Sequence, residues 1–340
     1  MNTPVREIYL LLGNRDMIIS IDETGDFSPN SDKFNFFVAT HIRQSDGLFK
    51  VKERQFKNWE NELPASLKNH KGEIKGSSLD CSQLRAFVEN VILKSPYVGI
   101  TSKRLRTVEN PPSLIDKHTA IVLAGLNDKY LRMIKSGCVE AIKFKDYANW
   151  IRKLNYQQYL KISFLGSLVF DSLKNTIIHS IRERYDHELV ETKFLIDRIF
   201  VRGVEQNAFW RDVLRNQFFS YSRKEPIPLL SDWKNTGHPF LTKYASKGYL
   251  DFNELFWRNC KFGDSHVNFE IRIADIIGTI LSRYFNFNKC KDVFNLLEPC
   301  FMEHGKIEHV FLNDFDFNYM IGQMPFTLFE NNVSGSLFFE

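Results

Sequence analysis

The chain has 340 residues, 43% of them hydrophobic and 25% charged, and a formal charge of +4. That composition suits one large core or two modest ones and excludes a disordered chain. The longest charge-free stretches, such as Ile162 to Phe170, fall far short of the roughly 20 apolar residues that span a bilayer, so no membrane span is expected.

In chain order, Met17 to Ile21 is a β-branched run stopped by Asp-Glu-Thr-Gly, and it predicts a buried strand. Phe34 to Ile42 predicts a second strand, and the Ser-Pro-Asn-Ser-Asp between them predicts a long-looped hairpin. Leu48 to Leu63 has helical spacing, and Asp80 is an N-cap candidate for a helix through Leu93. Lys-Gly-Glu-Ile-Lys-Gly, between these helices, reads as a short loop or strand, and Tyr97 to Ser102 as a third strand. Ser113 to about Tyr185 reads as mostly helical, with breaks near Gly137 and Asn155. Phe194 to Val201 predicts a strand, Glu205 to Tyr221 a helix, and Phe269 to Phe285 a strong helix. Weaker strand signals fall at 227–230, 249–252 and 309–312.

The start of the chain lacks the basic, apolar and small-residue sections of a secretory signal, so a cytoplasmic location is expected. Five cysteines, Cys81, Cys138, Cys260, Cys290 and Cys300, are odd in number and far apart. Neither a disulfide framework nor a zinc ribbon is expected, and buried reduced thiols are.

Four acidic residues stand out. Asp22 sits where an apolar strand meets a glycine turn, which suits either a metal ligand at a sheet end or a plain turn former. Asp197 falls in the predicted strand Phe-Leu-Ile-Asp-Arg-Ile-Phe-Val, on the face of Leu195 and Ile199. Buried there, it needs a partner or a metal; on an edge strand it is merely solvated. Asp275 lies in a helix apolar nearly all round, beside Gly278, with Arg272 offering an i−3 salt bridge as the structural alternative. Glu73, between two lysines in a loop, is the weakest alone.

Between Lys129 and Lys161 there are eight basic and two acidic residues, so this segment is +6 and the remainder of the chain −2. Lys143, Lys145, Arg152 and Lys153 are its candidate nucleic-acid contacts. They are interleaved with Tyr130, Phe144, Tyr147, Trp150, Tyr156 and Tyr159, which either stack bases or form the buried face of an amphipathic cap.

The blocks Ser-Ile-Asp-Glu-Thr-Gly-Asp-Phe, Phe-Phe-Val-Ala-Thr, Gly-Glu-Ile-Lys-Gly, Phe-Leu-Ile-Asp and Gly-Asp-Ser-His…Ile-Arg-Ile-Ala-Asp-Ile-Ile-Gly span Ile18 to Gly278. In this order they resemble the family designated domain of unknown function 3800. Thr24 stands where that family usually has serine, and the helical stretch from Ser113 to Tyr185 is long for its core. The resemblance implies an α/β fold with a ribonuclease H-like core, a mixed sheet with flanking helices, plus a long helical insertion. The expected division is 1–104 and 191–340 for the two parts of the core and 105–190 for the insertion or cap.

The resemblance also implies that Asp22, Glu73, Asp197 and Asp275 converge as metal ligands, with Glu23, Asp264 and Ser265 in auxiliary positions. Mg²⁺ or Mn²⁺ is the expected cofactor, because hard cations take several oxygen ligands and support in-line phosphodiester hydrolysis. Lys75 either balances charge, contacts phosphate or is a surface lysine. The expected function is a metal-dependent nuclease acting on DNA or RNA, in a bacterial or phage setting with partner proteins of a defence system, and oligomerisation is left open. The alternative is a binding module for nucleic acid or protein on the same fold. A phosphatase or nucleotide hydrolase is disfavoured, since no glycine-rich phosphate-cradling loop is present.

Overall fold

The computed structural model describes residues 16–44, 47–96, 98–139, 141–182, 191–198, 200–201, 204–205, 239–246, 249–250, 259–302 and 307–309. Six strands form the main sheet: β1 (Asp16–Thr24), β2 (Phe34–Gln44), β3 (Gly99–Arg106), β4 (Glu191–Asp197), β5 (Cys260–Gly263) and the two-residue β6 (Glu308–His309). Their order is β6-β3-β2-β1-β4-β5. β1, β2 and β3 form an antiparallel meander, and β4 and β5 continue it on the other side of β1, running parallel to β1.

Among the described residues, eight helices surround the sheet: α1 (Leu48–Glu62), α2 (Cys81–Phe87), α3 (Pro112–Lys135), α4 (Ala141–Ile151), α5 (Tyr156–Arg182), α6 (Pro239–Tyr244), α7 (Phe269–Phe287) and α8 (Lys291–Leu297). β1 is central and its residues Met17 to Asp22 are buried on both faces. Ile19, Ile21, Phe37, Ala39, Phe194 and Ile196 pack against α3, α4 and α5 on one side. Phe36, Val38, Ile42 and Ile100 pack against α1, α2, α7 and α8 on the other. Each fully buried Ile, Leu or Phe contributes about 1.5–3 kcal/mol, so the two cores together fix the sheet between its helical layers.

The hairpin of the first two strands is observed, with Ile21 opposite Ala39. Asp80 caps α2 as expected: its side chain accepts from the Gln83 amide at 2.8 Å, and Gln83 Oε1 accepts from the Asp80 amide at 2.8 Å. A π-helical turn, Val88–Ile92, carries that helix on towards Leu93. The long helical stretch divides at 136–140 and 152–155, at the two expected breaks.

Other expectations need correction. β3 begins at Gly99 and runs on to Arg106, beyond the expected end at Ser102. Pairing with β2 and the stacking of the Arg104 guanidinium over Phe34 and Phe285, at 4.9 and 4.7 Å, hold a charged stretch extended. β4 ends at Asp197, so this residue closes the strand instead of lying in its middle, and Phe200–Val201 pairs separately with Val204–Glu205. Tyr249–Leu250 pairs with Ala245–Ser246. The helix expected beyond Glu205 and the strand signals at 227–230, 251–252 and 310–312 lie outside the described residues.

Cys81 and Cys290 form a disulfide with a Cα–Cα distance of 5.3 Å, contrary to the expectation of reduced thiols. The two are 209 residues apart in sequence and meet because α8 packs beside the first turn of α2. No helix among the described residues is long and apolar enough to cross a membrane.

Candidate functional site

The last residues paired between β1 and β4 are Ile21 and Ile196. Asp22 and Asp197 are their immediate successors on neighbouring parallel strands. Because side chains alternate along a strand, both carboxylates lie opposite Ile21 and Ile196, on the face covered by α7. Glu23 falls on the other face, towards α5, where Lys161 Nζ meets Glu23 Oε1 at 2.6 Å.

α7 delivers Asp275 from above this strand end. Two glycines permit the approach. A Cβ on Gly278 would stand 2.1 Å from Thr24 Oγ1, so the helix backbone rests directly on the end of β1. A Cβ on Gly76 would stand 2.4 Å from Thr279 Oγ1 and 3.0 Å from Ile276 Cα, so the 73–78 loop presses equally close. The Gly76 amide donates to Asp275 Oδ2 at 3.0 Å and fixes that carboxylate.

Glu73 is buried and its Oε1 lies 2.8 Å from Lys75 Nζ. Asn69 Nδ2 donates to its other oxygen at 3.3 Å. Lys75 also reaches the buried Ser265 Oγ at 3.4 Å. Asp264 organises the loop that precedes α7, its carboxylate accepting from the His266 amide at 2.9 Å and its carbonyl oxygen from Asn268 Nδ2 at 2.9 Å.

The electrostatics match this crowding. Burial, followed by the charges of Glu23, Asp275 and Asp197, lifts the Asp22 carboxyl well above its ordinary range against the opposing Glu23 amide. Burial raises Asp275 too, opposed by the Gly76 amide and Lys75 and reinforced by Glu73 and Glu23. Asp197 is pushed up to about 6, first by burial and then by Glu23 and Asp264, against the Arg198 amide and Lys75. Glu73 goes the other way: burial would raise it, but the hydrogen bond and charge of Lys75, with Ser265 and Asn69, hold it below its usual range. Three acids therefore share one repulsive neighbourhood, and the fourth is neutralised by a lysine at its border.

These groups fit a divalent cation by chemistry, since they are hard oxygen donors whose mutual repulsion a positive ion would relieve. No cation stands within ion-pairing distance of Asp22, Asp197 or Asp275 among the described residues. Yet no group of three or more acidic, histidine or cysteine side chains among the described residues is closed around a common point. Arg272, considered from sequence as the partner of Asp275, instead pairs with Glu60 and lies 4.7 Å over the Phe56 ring.

Of the basic segment, Lys145, Arg152 and Lys153 are exposed on α4 and the turn after it, with Arg152 donating to Asn149 Oδ1 at 3.0 Å. The side chain of Lys143 lies outside the described ones. Its aromatic neighbours belong to the core: Phe144, Trp150 and Tyr159 are buried, and Tyr130, Tyr147 and Tyr156 pack against them. They are not free to stack bases.

Sequence reasoning missed Lys161 and Arg198 as members of this region. Lys161 lies 138 residues from its partner Glu23, and Arg198 pairs with Asp264, likewise distant in the chain. Neither carries a local signal. No family model, curated protein or solved structure matches the chain.

Proposed function

We propose that this chain is a divalent-metal-dependent nuclease on a ribonuclease H-like core, with Asp22, Asp197 and Asp275 as primary Mg²⁺ or Mn²⁺ ligands and Glu73 joining them from the 73–78 loop. The carrying observation is that Asp22 and Asp197, successors of one paired position on parallel strands, face the helix that supplies Asp275. The sheet supports the fold part of the reading, since it is mixed, an antiparallel meander continued by parallel strands beside β1, and is flanked by helices on both faces. The resemblance to the domain of unknown function 3800 family belongs to the same proposal, as do the bacterial or phage setting and defence-system partners.

Asp22, Asp197, Asp275 and Glu73 would hold the divalent ion, which would supply the positive charge needed to activate water and to stabilise the oxygens of phosphodiester hydrolysis. The chain's own residues do the rest. The two strand ends hold Asp22 and Asp197 rigidly, the Gly76 amide orients Asp275, and Lys75 keeps Glu73 ionised until it is needed. Lys145, Arg152 and Lys153 attract the phosphate backbone.

The test is incubation of pure protein with labelled DNA and RNA panels in Mg²⁺, Mn²⁺ or EDTA, beside Asp275→Asn. Metal-dependent cleavage lost in the variant supports the reading, and a fully active variant removes Asp275 from the site. A second reading, a binding module that does not cut, is favoured by the pairing of Glu73 with Lys75 and by the absence of a closed ligand group among the described residues. Retention of nucleic acid without cleavage under every metal condition selects it.

A further inference from the structure

Beside the acidic strand end, on the opposite face of the sheet, lies a cavity of about 330 Å³. It sits at the low end of the 300–1,000 Å³ range of small-ligand pockets. Its apolar lining comes from Phe37 of β2, Ile196 of β4, and Ile162 and Leu165 of α5. Asn155, Gln157 and Gln158, from the start of α5, add carboxamides. Glu23, Asp197, Lys161 and Arg198 complete the lining, and the side chains of Glu23, Lys161 and Arg198, about a third or more exposed, mark its solvent side as the mouth.

We infer that this cavity receives one unpaired nucleotide of a single-stranded or locally opened nucleic acid, its base inside and its phosphate at the mouth. The inference rests on the nuclease or nucleic-acid-binding reading above and narrows its substrate class. Each part of a nucleotide has a counterpart in the lining. A base is flat and apolar on its faces and carries donors and acceptors on its edge, and unpaired bases are read by apolar packing together with edge hydrogen bonds. Carboxamides offer both a donor and an acceptor.

All three carboxamides are already held in position. Asn155 Oδ1 accepts from the Gln158 amide at 2.8 Å and Gln158 Oε1 accepts from the Asn155 amide at 3.0 Å, so the first turn of α5 is locked by reciprocal capping. Gln157 is anchored to the Asp26 carbonyl at 2.9 Å. Rigid side chains lose little entropy on binding, which is what a recognition wall needs.

The mouth suits the phosphate. Arg198 is partly exposed and only loosely paired, 3.7 Å from Asp264, so its guanidinium can turn to an anion. Lys161, held 5.0 Å over the Phe27 ring, neutralises Glu23 at 2.6 Å, so that carboxylate does not repel an anion at the rim. Asp197 belongs both to this mouth and to the acidic cluster, so the phosphate following the captured base lies next to the carboxylates. A continuous duplex does not supply such a base, because its bases are stacked and paired; one must be unpaired first.

The test is fluorescence-anisotropy titration, in EDTA, of a short mixed-sequence oligonucleotide, single-stranded and annealed to its complement. Wild-type protein should bind the single strand at least about tenfold more tightly than the duplex, a difference of about 1.4 kcal/mol. Ile162→Trp, which fills the cavity, should abolish that preference while retaining duplex binding. Because over-packing can cost about 1–3 kcal/mol of stability, its melting temperature is measured alongside. Arg198→Gln, at an exposed position, provides a second variant and should weaken single-strand binding selectively. Equal wild-type affinity for both forms, or an unchanged preference in both variants, overturns the inference. Metal-dependent cleavage of duplex without single-strand preference sinks the pocket alone. Single-strand preference in EDTA without cleavage in any metal sinks the nuclease reading and leaves the pocket standing.

Discussion

Asp197→Asn removes one charge from the acidic cluster while nearly preserving its shape. Burial, with Glu23 and Asp264 adding repulsion, lifts the Asp197 carboxyl from 3.8 to about 6 in the folded protein. At about 1.4 kcal/mol per pH unit, ionising it costs the fold about 3 kcal/mol. A raised folded value means that folding favours the neutral carboxyl, so this stability is complete below the unfolded value of 3.8 and is lost as pH rises through about 6. In EDTA the variant should therefore be more stable than wild type by up to about 3 kcal/mol near pH 8, with the advantage vanishing near pH 4. Urea unfolding followed by circular dichroism at several pH values measures it. Manganese at a thousandfold excess over the dissociation constant should reverse the order, because wild type gains about 4.1 kcal/mol and the variant gains little. Equal stability of the two proteins at both pH extremes would show that burial and the neighbouring acids do not raise the Asp197 carboxyl. An identical response to manganese would remove it from the metal site.

Gly278→Ala should push α7 off the end of β1, since its new Cβ meets Thr24 Oγ1 at 2.1 Å, and a loss of about 1–3 kcal/mol is expected in thermal unfolding; an unchanged melting temperature would contradict that close contact. Glu60→Ala leaves the nearly buried Arg272 guanidinium without its carboxylate, and a cost of about 3–5 kcal/mol follows for a broken buried pair. A loss below about 1 kcal/mol would place that pair in water. Reducing Cys81–Cys290, which closes a 209-residue separation, should lower stability by about 5 kcal/mol on the chain-entropy account. Dithiothreitol that leaves the unfolding midpoint of wild type unmoved would refute it.

The elements legible in the sequence are those whose pattern and packing agree. β1, α7 and the α3–α5 stretch carry enough apolar periodicity for their tertiary neighbours to change little. The second half of β3 was not legible, because Lys103 to Arg106 reads as a loop until Phe34, Phe285 and Ser167 provide partners for those cations. Asp22 and Asp275 could be singled out locally, one at a strand end and one in an apolar helix. What sequence could not supply was direction. Asp197 closes β4, Arg272 turns away to Glu60, and Glu73 is bound to Lys75, all choices made by residues from 2 to 212 positions away.

The place of β1 at the centre of the sheet has a consequence for how the chain comes off the ribosome. One edge of β1 is satisfied early, by a hairpin partner that begins at Phe34, while the other waits for β4, whose first paired residue is Glu191. Throughout that interval a flat, apolar strand presents unpaired amides and carbonyls, the feature that templates edge-to-edge aggregation. Joining β4 to β1 seals that edge and, in the same step, sets Asp197 beside Asp22. A nascent or truncated chain ending before Glu191 therefore has a sticky edge on β1 and no acidic pair.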